Sequence, residues 1–406
     1  MISDHADPLA EIGSKEAGGQ NIYVLYLAKF LCRIGIYVDV YTRWDRKNKK
    51  EVVKMNNFVR IIRVKAGPKR HIPRDDFLNV VDEFSDNVIK RIYKENQKYD
   101  IIHSNYWYSG IIGLKIAKII KLPMVHVYHS IGKVRFDTLK NFKLHEGDNV
   151  FFQKRIEIEK KIAHDSTAIV STSPVEKGIL KKIFDIPGDK IKVIPIGVDT
   201  DVFRPIKRKS KKHNNGKYIL YVGRIEWRKG LGTLIYAFRE ILSDYPGMKL
   251  KIIGGGKSST AKKLEEAEGD RLKKIARNLN IVDNISFVGS KKQKNLYRFY
   301  SLAEVCVVPS YYEPFGIVPL ESMACGTPVV ASKTGGLQFT VEDNVVGKLA
   351  KPRDYKDLAK KIRAVLKKGK KHYQKNCLER VRKYFRWENI VNLYEEYFNQ
   401  LINLKK

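Results

Sequence analysis

The stretch Glu313-Pro-Phe-Gly-Ile-Val-Pro-Leu-Glu321, continuing as Ser322-Met-Ala-Cys-Gly-Thr-Pro-Val-Val330, reads as a tight loop, a short helix, a turn and a buried strand. Pro314 and Gly316 punctuate the loop, and glycine lets a ligand approach the backbone closely. Leu320, Met323 and Ala324 make an apolar helical stripe, Gly326 stops the helix, and Val329-Val330 begin the strand. Glu313 therefore stands at the mouth of one loop–helix unit and Glu321 inside its helix. Between them lie the unpaired N–H groups of a helix start, a seat for phosphate. An ionised glutamate also accepts several hydrogen bonds from hydroxyls. Phosphate donors beside hydroxyl acceptors are what a nucleotide-sugar site needs, although two solvated glutamates flanking an ordinary helix would show the same spacing.

The chain has 406 residues, enough for two or three domains with large cores. Hydrophobic residues make up 43% and charged residues 30%, as in globular proteins. Against 44 acids stand 78 Lys and Arg, a formal charge of +34. Such a field draws anionic membranes, nucleic acid or phosphorylated substrates without deciding a fold. Many lysines fall singly along helix-like stretches such as Lys356 to Lys371, so a solvated basic surface explains most of the excess. Cys32, Cys306, Cys325 and Cys377 are scattered, form no CxxC and suit a reducing compartment. Without a visible signal peptide or an apolar run of the ~18–20 residues that span a bilayer, a cytoplasmic protein is expected, with peripheral contact to an anionic membrane as a further option.

The chain opens on Met1-Ile2-Ser3, the tail of a strand short enough to suggest that N-terminal residues are missing. A polar loop from His5 leads to Gly18-Gly19-Gln20-Asn21, a helix over Ile22–Ile34 ended by Gly35, and a strand over Tyr37–Thr42: a βαβ unit. Gly-Gly at a helix start admits phosphate or sugar. Val59–Val64 is another strand, and Lys69, Arg70, His71 and Arg74 follow it. A helix is expected from about Phe77 to Gln97, then strands at Asp100–Ser104 and Pro123–Tyr128. Ligands of open α/β sheets bind beyond the carboxyl ends of strands, so His5, Gly18-Gly19, Tyr106 and His129 should converge. His126 and His129 point to opposite faces of a strand and do not make a metal pair. Trp107 reads as core, and Arg155 with Glu159 reads equally as a surface helical pair or a ligand contact.

Ala168–Thr172 and Ile191–Gly197 complete the first lobe, and the basic run Lys207–Asn215 is a linker. Asp199-Thr-Asp201 resembles a metal-binding D-x-D, but its place at a lobe exit points to a turn. The second lobe restarts with Tyr218–Val222 and Gly223-Arg-Ile-Glu-Trp-Arg-Lys-Gly230, then a helix over Leu231–Leu242. Arg224 and Lys229 bracket this strand-to-helix junction, as a departing diphosphate would require. Lys249–Ile253 and Gly254-Gly-Gly256 do not complete G-x-G-x-x-G, so a nicotinamide site is unsupported. Ile285–Gly289 and Val305–Pro309 are strands, Thr334-Gly-Gly336 offers further backbone surface, and a helix over Trp387–Leu401 closes the chain.

These motifs together resemble the retaining glycosyltransferases of family four over nearly the whole chain. They are His5-x-x-Pro8, Gly18-Gly19-Gln20-Asn21-x-Tyr23, Gly223-Arg224 with Arg228-Lys229-Gly230, and Glu313-Pro-Phe-Gly316 with Glu321. Within the family the first lobe looks most like inositol-phosphate N-acetylglucosaminyltransferases and sucrose-phosphate synthases. The resemblance implies an α/β GT-B fold, two Rossmann-like doubly wound lobes facing each other across a cleft. Residues 1–205 would form the acceptor lobe, 206–386 the nucleotide-sugar lobe, and 387–406 a helix packing back on the first lobe.

The resemblance also implies roles. Arg224 and Lys229 would hold the donor diphosphate, Glu313 the donor sugar beside the Phe315-Gly316-Ile317 backbone, and Glu321 the ribose. Gly18 and Gly19 would abut the phosphates, and His129 would contact the donor sugar near the reacting centre. Asn21, Arg74, Tyr106, Ser130 and Arg155 occupy the positions that hold an acceptor phosphate; Arg74 replaces a lysine there and Ser130 a threonine. The expected reaction moves a hexose or N-acetylhexosamine from a nucleotide-diphosphate sugar, a UDP-sugar first among them, to a small phosphorylated acceptor with retention and without metal or cofactor. A lipid- or polysaccharide-directed enzyme and a non-catalytic anion-binding relative are the alternatives; no RNA-reading motif is present, so no specific nucleic-acid partner is expected.

Overall fold

The computed structural model describes residues 1–10, 18–141, 149–206, 216–255 and 259–404. By compactness the chain divides into two units. The first takes in Met1–Ala10, the described part of Glu16–Pro195, and Ile390 onward; the second is the described part of Ile196–Asn389.

In the first unit the strands are β1 (Val38–Arg43), β2 (Val52–Lys54), β3 (Val59–Val64), β4 (Ile102–Asn105), β5 (Met124–Val127), β6 (Ala168–Ser171) and β7 (Ile191–Val193). Two sheets, β1-β3-β2 and β4-β5-β6-β7, are joined through Ile2, which bridges in parallel to Tyr41 of β1 and Ser104 of β4. Every pairing is parallel except β2 with β3. The strands β1, β4, β5 and β6 are buried along their whole length, as sheets covered on both faces require. The chain passes from Ile2 outward through β1 to β3, then returns to β4 on the other side of Ile2. That reversal is a topological switch point, where open sheets bind ligands.

The first helix is Gly19–Leu31, three residues earlier than the sequence suggests. The side-chain amide oxygen of Asn21 accepts from the N–H of Gly18 at 2.9 Å and closes the first turn, so the glycine pair belongs to the helix. The helix expected over Phe77–Gln97 is broken: a 3-10 turn covers Arg74–Val80 and the α-helix runs Val81–Lys94. Asp82 and Glu83 favour that later start by complementing the helix dipole. Cys306 is buried in the core, whereas Cys32 is only partly so. In the last helix, Trp387–Asn403, Tyr394 and Phe398 lie with ring centroids 5.7 and 6.2 Å from His103. Tyr394 also shares a short hydrogen bond with Tyr23 of the first helix.

In the second unit β8 (Tyr218–Val222), β9 (Lys249–Ile253), β10 (Ile285–Phe287), β11 (Val305–Val308), β12 (Val329–Ser332) and β13 (Gly347–Ala350) form one parallel sheet, ordered β10-β9-β8-β11-β12-β13. Its reversal lies between β8 and β11, whose exit loops carry Arg224–Gly230 and Glu313–Gly316. The Asp199 carboxylate accepts from the Asp201 N–H at 3.0 Å and makes the turn expected at this lobe exit. The Lys207–Asn215 linker and Gly256 lie outside the described residues.

Two glycines let these loops knit together. Gly230 has φ +71, and a Cβ there would stand 2.0 Å from the carbonyl oxygen of Pro309. Gly335, at φ +45, meets the Glu313 carbonyl at 2.1 Å in the same way, so the Gly335-Gly336 pair braces the Glu313 loop instead of offering free backbone. Gly230→Ala is expected to lose at least about 2 kcal/mol in denaturant titrations, from left-handed strain plus backbone overlap. Gly178→Ala, inside a helix with nothing within 4 Å, is the control and should be neutral or stabilising.

Candidate active site

In the second unit the helix Ile317–Ala324 starts at Gly316, whose φ of +96 turns the loop into it. Phe315 is buried and its ring lies 6.3 Å from that of Phe385, so this segment offers its backbone, with Ile317 at the first helical position. Lys229 Nζ lies 2.5 Å from Glu313 Oε2, which also accepts from Ser310 Oγ at 3.3 Å. Burial alone would raise the Glu313 carboxyl, but Lys229 and Arg228 hold it below the usual range. Arg224 donates to Glu226 at 3.0 Å and Arg228 lies 2.9 Å from the other oxygen of that carboxylate. Those two arginines overcome the effect of burial and bring Glu226 down to about 2. A strip of three cations and two ionised acids thus lines the ends of β8 and β11.

Glu321 is the contrast. It is 4% exposed, accepting from Tyr300 Oη at 2.7 Å and Gln293 Nε2 at 3.1 Å, and burial with no cation partner raises it to about 7. Two glutamates eight positions apart on one motif therefore sit in opposite electrostatic states. If Glu321 grips ribose hydroxyls it does so ionised, so affinity for a nucleotide-sugar should rise as pH increases through about 7 and level off above it. Calorimetric titration of wild type and Glu321→Gln checks this. The variant should bind more weakly at high pH and lose the slope; an unchanged slope would remove Glu321 from the donor site.

In the first unit His5, Tyr106 and His129 gather at the ends of β4 and β5. Tyr106, at φ +75, begins the helix Tyr106–Ile120, a left-handed conformation unusual for a bulky residue. His129, at φ +55, follows β5. Such outliers concentrate at functional sites. The Tyr106 ring lies 4.8 Å from His5, and the Arg155 guanidinium carbon stands 5.1 Å from its centre. Arg155 donates to the Ser130 carbonyl at 2.8 Å and to Glu159 at 2.7 Å. Glu159 also accepts from the Gly132 N–H at 2.7 Å. Arg155 and Glu159 are 1% and 0% exposed, so the surface-pair alternative is corrected: the fold buries this charge behind the strand ends.

The remaining candidates are less open. Asn21 is buried, its amide bonded to Gly18 N–H and donating to the Asp7 carbonyl at 2.9 Å, so it shapes the loop ahead of the helix. Gly18 caps that helix and Gly19 is exposed at its first position. The Arg74 side chain lies outside the described residues. His126 is fully buried and bonds Ser104 at 2.8 Å, while His129 bonds Asn105 at 3.0 Å.

Sequence reasoning missed several members. Glu226 stood unread inside the Arg224–Gly230 motif, although an acid two residues from each of two arginines signals a shared ion pair. Asn105 lies one residue past the expected strand Asp100–Ser104, whereas it is the last residue of β4. Gln293 and Tyr300, on the helix Gln293–Leu302, reach Glu321 from far away in sequence, and no local pattern announces them.

Residues 17–202 match the family described as Glycosyltransferase Family 4, and residues 202–384 match Glycosyl transferases group 1. The D-inositol 3-phosphate glycosyltransferase of Acidothermus cellulolyticus is 35% identical over 364 residues, covering 87% of this chain and 79% of that protein. The enzyme of the same name from Corynebacterium diphtheriae is 31% identical over 87% of this chain and 83% of its own length. The solved sucrose-phosphate synthase of Thermosynechococcus elongatus is 35% identical with a TM-score of 0.88, covering 99% of this chain and 98% of that one. Anabaena HepE, solved with UDP, shares the fold at 18% identity and a TM-score of 0.74 over 98% of each chain. The chain belongs to the family-four glycosyltransferases, enzymes with the GT-B fold.

Proposed function

We propose that this glycosyltransferase moves a hexose or N-acetylhexosamine from a UDP-sugar to a small phosphorylated acceptor, an inositol phosphate or sugar phosphate, with retention. The observation that carries the acceptor class is the grouping of Tyr106, Ser130 and the buried Arg155 at the ends of β4 and β5, with His5 against Tyr106. A guanidinium held in a fixed plane suits a phosphate. Relatives whose names carry D-inositol 3-phosphate and sucrose-phosphate support the same class.

On the donor side, Arg224 and Lys229 take the diphosphate, the Phe315–Ile317 backbone and Glu313 the sugar, and Glu321 the ribose. Gly19, following the capped Gly18, presents its backbone to the phosphates, and His129 meets the transferred sugar. Glu313 is a poor candidate for a covalent nucleophile, because its carboxylate is already stabilised by Lys229 and Ser310. The anomeric C–O bond to the diphosphate breaks while the acceptor oxygen bonds on the same face. The acceptor hydroxyl proton passes to the departing phosphate oxygen. The protein supplies alignment and charge.

The test incubates the purified protein with UDP-, GDP- and ADP-sugars, inositol phosphate, fructose 6-phosphate and other sugar phosphates, and follows donor depletion by mass spectrometry. A new phosphorylated glycoside with free UDP is expected. Product only when lipid or polysaccharide is added would overturn the acceptor class, and another free nucleotide would overturn the donor base. The basic surface could also hold the enzyme at an anionic membrane; salt-sensitive co-sedimentation with anionic vesicles would reveal that contact.

A further inference from the structure

We infer that Asn105 is a positioning residue for His129: it presents the ring as the neutral Nε2–H tautomer, whose Nδ1 can only accept, so the ligand atom meeting Nδ1 is a hydroxyl or amide N–H of the sugar and not a phosphate oxygen. The inference rests on the reading above that His129 meets the transferred sugar.

Asn105 is the last residue of β4 and is fully buried. Its amide nitrogen donates to the Ile2 carbonyl at 3.1 Å and to His103 Nδ1 at 3.2 Å. A backbone carbonyl can only accept, so Ile2 fixes which end of the amide carries the hydrogens. The amide oxygen is then left facing His129 Nε2 at 3.0 Å, and because it can only accept, Nε2 carries the proton. The backbone of Asn105 is held as well, its carbonyl accepting from Gln20 Nε2 at 3.2 Å.

The chain of assignments continues inward. His103 accepts at Nδ1, so its proton sits on Nε2, 3.5 Å from the Tyr23 hydroxyl, and Tyr23 in turn bonds Tyr394. The Tyr23 ring also packs edge-on to His129 with centroids 4.8 Å apart, fixing the ring from its other side. The titratable groups facing His129 from the surrounding elements are His5, His103, His126 and Tyr23. None is an acid at neutral pH. Burial first, and His5 second, lower His129 to about 3. A neutral histidine with a fixed tautomer neither donates a proton to a leaving group nor binds phosphate as a cation. It discriminates by accepting.

The test is NMR of the full chain labelled with 15N-histidine, with His129 assigned by comparison with His129→Gln. The expected spectrum is the Nε2–H tautomer, unchanged as pH falls to about 5.5, below the ordinary histidine midpoint. An Nδ1–H pattern, or a titration between about pH 6 and 7, would overturn the orientation. In parallel, Asn105→Asp replaces the amide with a carboxylate that favours a charged ring. It should make His129 titrate near neutrality and lower kcat about 10- to 100-fold, the scale on which metal-bound histidines suffer when their orienting partner is lost, with donor KM little changed. Unchanged kcat in Asn105→Asp would also overturn it. Wild-type turnover in His129→Ala would instead overturn the sugar-contact reading beneath, whatever tautomer the spectrum shows.

Discussion

Lys229→Ala is expected to lower kcat/KM by at least ~100-fold, about 3 kcal/mol, the scale of removing one preorganised donor from a site of developing charge. The ammonium stands at the end of β8 beside Arg224 and Arg228, where the proposed mechanism has a departing diphosphate gather charge. It pairs with the Glu313 carboxylate at 2.5 Å. Glu313→Ala should cost a similar amount, because it removes the carboxylate that orients the lysine as well as the proposed acceptor for sugar hydroxyls. The two losses should not add. Residues in one ion pair act as a unit, so Lys229→Ala with Glu313→Ala should fall well short of the sum of the single effects. Steady-state kinetics on the four proteins of the cycle decides it. Near-native turnover by both single variants would remove these residues from the site, and strict additivity would mean that they act on the reaction separately.

Much of this arrangement is legible in the sequence, and for a physical reason. Strands of these sheets are short apolar-rich runs, so Val59–Val64, Tyr218–Val222 and Lys249–Ile253 appear in the structure at their expected bounds. Loops at their carboxyl ends are compact motifs, so Arg224, Lys229, Glu313 and Glu321 can be found together by spacing. Other features are silent because they depend on distant partners. The helices Ser259–Asn278 and Lys370–Tyr384 are rich in charge, and the second buries only Tyr373, Cys377 and Val381, too thin a stripe to stand out. Burial raises Glu321 to about 7 against the opposing hydrogen bonds of Tyr300 and Gln293, which lie more than twenty residues earlier. The left-handed conformation of Tyr106 carries no sequence signal either, since a bulky aromatic residue disfavours that region, and the one at His129 cannot be read from residue type alone. Periodicity reports what a segment buries; it does not report what another segment brings to it.

Arg155 and Glu159 show where that limit matters most, and they carry the largest expected effect on stability. An i,i+4 Arg–Glu pair is usually a solvated helical contact worth a few tenths of a kcal/mol. Here both side chains are buried, and Glu159 additionally caps the Gly132 N–H. Glu159→Ala should therefore cost about 3–5 kcal/mol in denaturant titrations, because it leaves a buried guanidinium without its counter-ion. Stability and function can then be separated. Replacing both partners by apolar residues of similar size, Arg155→Met with Glu159→Leu, removes the unpaired charge and should recover most of the lost stability. The same double variant should keep a raised KM for the phosphorylated acceptor, because no guanidinium remains beside Tyr106, while its affinity for the nucleotide-sugar stays near that of the wild type. Recovery of both stability and acceptor KM would reduce the pair to scaffolding and shift the acceptor phosphate elsewhere. Recovery of stability alone is the result expected if the fold buries this ion pair to hold Arg155 in place for a phosphate.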